Sequence, residues 1–344
     1  MNSERELGRY RHGGPPQVIS RRDFLQAVGA LAAGLLVAAC QPKKQAEGAT
    51  LPQVAIARAV NYDKALVRKR MQALLDSIGG LKDVIRGGDR VAIKVNLTGG
   101  TSVKPLPGVS AIESYITHPE VVRALGEMVR DAGAGKLYFV EAVYEQESWY
   151  AWGCAEVAKA LDATLIDLNS PQPYPDFMRK PVGDGWFIYK DFIFNRILEE
   201  IDVFISVAKM KCHYSAGVTL AMKNLVGLVP AKDYRLSQND NYRSAFHGAA
   251  NETGRRLPRV IIDLNRARPI HFALIDGIKT TEAGEGPWIN GMAAVAPGVL
   301  IAGKNPLATD TVATAVMGFD PTAAPMAAPF TRSDNHLALA HELG

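Results

Sequence analysis

Four lysines, two histidines and several carboxylates and amides of this chain fall just where Val- and Ile-rich runs end. Lys94 and Asn96 close one such run, and Lys209, Lys211 and His213 follow another. Thr219, Lys223 and Asn224 come shortly afterwards. Asp276-Gly277 ends a third run and opens a glycine-rich loop that carries Glu282 and Glu285. His118 precedes Pro119, and Asp310 stands in the early turns of the last long helical pattern. Clustered ammonium groups favour an anionic ligand and depress one another's pKa, so that one of them can act as a base or an imine-forming amine. Histidines near neutrality move protons. Carboxylates beside a histidine orient it or hold a divalent ion. On this reading Lys209, His213, His118 and Asp276 are the catalytic candidates. Lys94, Asn96, Lys211, Thr219, Lys223, Asn224, Glu282 and Asp310 are the ligand-binding ones.

Known signatures narrow the chemistry little. No H-E-x-x-H spacing supports a metal, the Walker pattern is absent around Gly99-Gly100-Thr101, and no G-x-S-x-G elbow occurs. Gly284-x-Gly286 opens no helix and is no dinucleotide fingerprint. A lysine at a strand end is commonly a solvated charge, and Asp-Gly is commonly a turn. The weight lies in coincidence, since distant segments deliver these groups to one predicted edge.

That edge follows from the alternation of strand and helix patterns. Strands are expected at Val54–Ala59, Arg90–Val95, Lys136–Val140, Thr164–Leu168, Val203–Val207, Phe272–Ile275 and Val299–Ala302. Helices are expected at Asp63–Ile78, His118–Ala132 with Thr117 as N-cap, Ser148–Leu161, Ala216–Val226, Pro258–Arg268 and Pro306–Met317. A helix over 216–226 would set Thr219 and Lys223 on one face. Gly185–Phe194 reads as a strand or hairpin, Asn169–Asp184 as a proline-rich surface excursion, and residues 231–257 as an irregular loop able to close over a site. The fold class is α/β: a mostly parallel sheet with helices on both faces and inserted irregular loops. Ligands of such sheets bind outside the strand C-termini.

The first forty residues concern transport. Ser20-Arg21-Arg22-Asp23-Phe24-Leu25 has the form of a twin-arginine export signal, followed by an apolar run and the lipobox Val37-Ala38-Ala39-Cys40. Cleavage before Cys40, lipidation of its thiol and a membrane-anchored protein on the periplasmic face are expected, with the twin-arginine machinery as export partner. Gln41 in place of aspartate hints at the outer membrane. The organisation is then 1–39 signal, 40–52 tether, 53–320 α/β domain and 321–344 a tail draped over the surface. The mature chain carries 34 basic and 32 acidic side chains, too balanced for a nucleic-acid binder. With Cys40 lipidated, Cys154 and Cys212 remain. No C-x-x-C pair exists, so an iron–sulfur cluster is not expected. An exported compartment permits a Cys154–Cys212 disulfide, but two separate thiols are the simpler expectation.

Several segments resemble, in order, the domain of unknown function 362 family. They are Val91-Ala-Ile-Lys-Val-Asn-Leu97, Thr117-His-Pro-Glu-Val-Val-Arg-Ala-Leu125, Asp131-Ala-Gly-Ala134, Val207-Ala-Lys-Met-Lys-Cys-His213, Gly217-Val-Thr-Leu-Ala-Met-Lys-Asn-Leu225, Leu274-Ile-Asp-Gly-Ile278 with Glu282 and Gly286-Pro287, and Asn305-Pro-Leu-Ala-Thr-Asp310. The resemblance implies an α/β fold and polar positions at Lys94, Asn96, His118, Lys209, Lys211, His213, Lys223, Asn224, Asp276 and Asp310. It supplies no reaction, and this chain carries none of the ferredoxin-like cysteine motifs of some relatives. Three functions stay open: an anchored enzyme acting on a small anion, a non-catalytic anion- or metal-binding lipoprotein, and an assembly factor for an exported metalloenzyme. For an enzyme, alanine at His213 or Lys209 is expected to remove ligand binding and leave melting within a few degrees.

Overall fold

Long runs of β-branched residues without polar alternation favour strands buried on both faces, and this chain builds its centre from them. The computed structural model describes residues 51–344. The twin-arginine segment, Cys40 and all but the end of the tether lie outside the described residues. In chain order the strands are β1 Val54–Arg58, β2 Arg90–Lys94, β3 Lys136–Glu141, β4 Ala163–Asp167, β5 Met178–Pro181, β6 Asp191–Phe194, β7 Val203–His213, β8 Gly217–Thr219, β9 Phe272–Glu282, β10 Ala293–Val295 and β11 Val299–Gly303. One nine-stranded sheet runs β1-β11-β9-β7-β2-β3-β4, with β10 on β9 and β8 on β7, while β5 and β6 form a separate hairpin. The pairs β9/β7, β7/β2, β2/β3 and β3/β4 are parallel, and β1 and β11 are antiparallel additions. The sheet is mixed but mostly parallel, an α/β fold.

Each face carries its own core, set by the two-residue period of the strands. Val91, Ile93, Ile205, Val207 and Leu274 pack against the helices Lys64–Asp76, Pro119–Asp131 and Cys154–Ala160. Ala92, Phe204, Ala208, Ala273 and Ile275 face the helices Thr253–Ala267 and Pro306–Val316. Asp63 caps the first helix by accepting from Leu66 N at 2.8 Å, and Asn305 caps the Pro306 helix through Ala308 N at 2.9 Å.

Several elements differ from expectation. The Ser148–Leu161 pattern breaks into Glu147–Ala151 and Cys154–Ala160, because Gly153 takes φ +75° between them. The Ala216–Val226 pattern is no helix. Gly217 has φ +77°, residues 217–219 pair with β7, and a 3₁₀ turn follows over Lys223–Leu228. Thr219 and Lys223 are thus neighbours around a turn rather than along a helix face. Strands β7 and β9 each run to eleven residues, so Lys209, Lys211, His213 and Asp276 lie within them. The Asn169–Asp184 excursion contains β5. The 231–257 loop holds a short helix, Ser244–His247, and the start of the Thr253–Ala267 helix. The tail is no loose drape, since Phe330 and His336 are fully buried and a helix covers His336–Leu343. Cys154 and Cys212 are free thiols. Among the described residues no helix is long and apolar enough to cross a membrane.

Candidate functional site

The chain builds outward from β2 to β3 and β4 on one side and then returns to place β7 on the other. That reversal leaves a crevice at the C-terminal ends of β2 and β7, the position where open α/β sheets hold ligands. A cavity of about 540 Å³ occupies it, within the size range of small-molecule pockets. Lys94, Asn96, His213, Thr219, Lys223 and Asn224 all line it, together with Glu141, Tyr144, Arg243, His247, Glu285 and Trp288.

The cavity floor is saturated. Lys94 Nζ lies 2.8 Å from Glu141 Oε1 and donates to Val95 O at 2.8 Å and to Asn224 Oδ1 at 3.2 Å. Glu141 also accepts from Leu97 N at 2.9 Å and Ala142 N at 3.0 Å. Burial lowers the Lys94 pKa, opposed by the Glu141 carboxylate. Gly227 sits flat over this pair, and a Cβ there would collide with Glu141 Oε1 and meet Lys94 Nζ at 2.8 Å. Lys94 therefore structures the floor.

The walls are not saturated. Lys223 is 9% exposed, and among the described residues its ammonium has no hydrogen bond and no carboxylate within ion-pair reach. Burial brings its pKa down to about 8, opposed by Glu285 and reinforced by Lys94 and Arg243. Arg243, also buried, donates only to backbone carbonyls, to Val229 O at 2.9 and 2.8 Å and to Ala142 O at 3.5 Å. Asn96 Oδ1 and Thr219 Oγ1 are buried without partners among the described residues. His213 Nδ1 accepts from Ser215 N at 3.1 Å, so the hydrogen of the neutral ring sits on Nε2, 4.0 Å from Glu285 Oε1. Burial, then Lys223, holds His213 well below the usual histidine range and brings His247 to about 4. Glu285 is fixed by Tyr214 N at 2.9 Å and Trp288 Nε1 at 3.3 Å. The Trp288 ring lines the cavity, seated against Gly99 at φ +90° and against Gly286, where any Cβ would overlap it. The loop after Gly99 is tied down as Thr101 and Ser102 hydroxyls donate to Glu145 at 2.6 and 2.8 Å.

Lys209, Asp276 and His118 do not reach this cavity. Lys94 pairs in register with Ser206, so Lys209, three residues on, projects from the opposite face of the sheet. There Lys209 Nζ contacts Asp276 Oδ2 at 3.0 Å, Tyr62 Oη at 2.8 Å and Ile112 O at 3.2 Å. Asp276 accepts in addition from Tyr62 Oη at 2.9 Å and from His118 N at 3.0 Å. His118 Nδ1 caps the Pro119 helix through Glu120 N at 3.1 Å, the role expected of Thr117, and its ring stacks on Tyr62 at 3.6 Å. Thr117 Oγ1 instead accepts from Asn96 N at 3.1 Å and donates to Val207 O at 3.2 Å. Burial lowers His118 to about 4. This closed knot joins β7, β9 and the loops before two helices.

The remaining candidates divide as well. Lys211, fully buried, donates to Tyr115 O at 2.7 Å, and burial drives its pKa well down. Glu282 is exposed at the end of β9, and Glu285, not Glu282, is the carboxylate beside His213. Asp310 accepts from Ala221 N at 2.9 Å and Met222 N at 2.8 Å, holding the turn that presents Lys223. Asp310→Ala strands two buried N–H groups and should cost about 2–4 kcal/mol, read as a lower melting temperature in thermal denaturation. Among the described residues, no group of three His, Cys, Asp or Glu side chains is placed to hold a metal ion. Arg243 and His247 escaped sequence reading because the polar 231–257 segment gives no periodic signal to place them.

Residues 91–315 match the family model described as Domain of unknown function (DUF362). The chain belongs to that family. It is 27% identical to Thylakoid-associated protein sll1697 of Synechocystis sp. over 278 residues, 79% of this chain and 76% of that protein. Among solved structures it is similar to the lactate racemase apoprotein of Thermoanaerobacterium thermosaccharolyticum, with TM-score 0.37 and 12% identity over 72% of this chain and 56% of that one. A structural-genomics protein of Thermotoga maritima gives TM-score 0.35 and 10% identity over 75% of this chain and 59% of that one. This chain thus spans less than two thirds of either solved chain. The DUF362 match covers β2 to the Pro306 helix, and so every cavity-lining residue named above.

Proposed function

We propose that this DUF362 chain binds a small anionic substrate or cofactor in the β2–β7 cavity and acts there as a lipid-anchored enzyme of unassigned reaction. The observation that carries this reading is Lys223, a largely buried lysine on the wall of a cavity of about 540 Å³ whose ammonium has no counter-ion among the described residues. Leaving such a charge unpaired is costly, and an anion supplies its missing partner. Arg243 adds a second cation held only by carbonyls, and the Asn96 amide and Thr219 hydroxyl add polar groups awaiting partners. His213 presents Nε2–H and Glu285 a carboxylate, a donor and an acceptor for proton transfer.

Calorimetry with inorganic phosphate, malonate and pyruvate tests this. Affinity should be highest at pH 6.5–7.5 and fall by roughly 10–100-fold between pH 7 and 9.5, as Lys223 loses its proton near pH 8. Equal affinity across that range, or equal affinity for neutral analogues, would sink the reading. Binding without turnover is the second reading. It is favoured by the closure of the Lys209–Asp276–His118 knot, which takes three of the four expected catalytic groups out of the cavity, and by the neutral state of His213 and His247 within it.

The anchored placement rests on Arg21-Arg22 and Cys40 and accords with a relative named for its association with thylakoids. Cells fed labelled palmitate should label the wild-type protein and not Cys40→Ser. Equal labelling would remove the anchor.

A further inference from the structure

We propose that Lys223 is a nucleophilic amine that forms an imine with a small 2-oxo acid, a substrate class that rests on the anion-binding reading above. Three observations converge. First, Lys223 Nζ faces the cavity without a hydrogen bond or ion pair among the described residues, so its lone pair, once deprotonated, is not engaged. Every other buried lysine of the region is engaged: Lys94 by Glu141, Val95 O and Asn224, Lys209 by Asp276 and Tyr62, and Lys211 by Tyr115 O. Second, the cavity separates the groups that a 2-oxo acid needs. Arg243 offers a guanidinium suited to a carboxylate. His213 offers a neutral Nε2–H suited to a carbonyl oxygen, and Glu285 a carboxylate beside it. Third, the surroundings favour the free amine. Burial and the neighbouring cations Lys94 and Arg243, which line the same cavity, disfavour the ammonium form, opposed by the Glu285 carboxylate. A pKa near 8 leaves a useful fraction of free amine at neutral pH.

The step balances without an oxidant. The Nζ lone pair attacks the carbonyl carbon while the C=O π pair moves to oxygen, which takes a proton from solvent water. Nζ loses one proton to the Glu285 carboxylate through solvent, since that carboxylate lies beyond ion-pair reach, giving a neutral carbinolamine. That proton, returned to the carbinolamine hydroxyl, lets it leave as water while the nitrogen lone pair closes the C=N bond, giving the protonated imine. The remaining N–H proton goes to the hydroxide left by the first step, so one amine and one ketone give one imine and one water. His213 stabilises the developing charge on oxygen and is not consumed.

The test treats the purified wild-type protein with glyoxylate, pyruvate or 2-oxoglutarate and sodium cyanoborohydride, then maps the peptides by mass spectrometry. One reduced adduct should form on Lys223, at least about tenfold faster than on exposed Lys64 or Lys82, since only Lys223 has the cavity to hold the acid beside its amine. Inorganic phosphate should slow it by competition, and Lys223→Arg should lose it. Because the mapping is done on wild type, misfolding of the variant does not obscure the result. If calorimetry shows that any of the anions binds in the cavity and no Lys223 adduct forms with the three acids, the imine is overturned and the anion pocket stands. If none of the anions binds, both are overturned.

Discussion

Replacing Lys209 or Asp276 by alanine should lower the melting temperature by roughly 10 °C or more, or leave no soluble protein. Both side chains have zero exposure and lie 3.0 Å apart. Taking away either one leaves the other as a buried charge with reduced compensation, a change that costs about 3–5 kcal/mol. Asp276 is the greater loss, because it also receives Tyr62 Oη and the backbone N–H of His118. Its removal loosens the start of the Pro119–Asp131 helix and the Tyr62–His118 stack along with the ion pair. A double change to Lys209→Met and Asp276→Leu should recover much of the stability, because two apolar groups need no partner. The contrary result is a single variant that melts within about 2 °C of wild type and has lost ligand binding. That outcome would return Lys209 to the site, where sequence reading alone had set it.

The reason that expectation reverses lies in strand geometry. Composition and alternation of patterns carried the parallel strands, most of their helices and the edge where the strands end, because Val- and Ile-rich runs buried on both faces look alike wherever they occur. Proximity along that edge did not carry the face. Lys94 and Lys209 both follow apolar runs, but the register Lys94–Ser206 puts them on opposite sides of the sheet. A residue-to-residue register across two strands is a tertiary fact, fixed by packing and not visible in either run alone. The failure at 216–226 has a different origin. The segment Ala-Gly-Val-Thr-Leu-Ala-Met-Lys-Asn-Leu has helical spacing, but Gly217 at φ +77° lets it turn back and pair with β7, with the Phe330 ring filling the space a side chain there would need. That tertiary pairing overrides local propensity. Arg243 and His247 were hidden for a third reason. They sit in a polar segment whose conformation is set by what it covers, so no period exists to read.

Lys223→Met should separate stability from function in the opposite sense to the knot: the melting temperature should rise by several degrees while anion affinity falls by roughly 10–100-fold. The sign follows from linkage. In the unfolded chain this lysine titrates near the ordinary 10.5, and in the folded protein near 8, with burial the leading cause. Between about pH 8 and 10.5 the unfolded chain therefore binds more protons, and the stability of the ligand-free protein rises with pH through that window. Below pH 8 both states are protonated and the full penalty of the buried ammonium is present, on the order of 3 kcal/mol. Methionine, of similar length and without charge, removes that penalty at neutral pH and should flatten this residue's share of the rise above pH 8. Lys94, Lys209 and Lys211 are also held below their usual range and contribute to the same rise, so the informative quantity is the difference between variant and wild type across pH 7–10. Addition of a bound anion should raise the melting temperature of wild type and leave the variant almost unmoved. A variant that melts lower than wild type in the absence of ligand would mean that Lys223 supports the fold. All four buried lysines carry a cost of burial, but the other three ammonium groups meet protein oxygens, and the one whose partner is left to a ligand is Lys223.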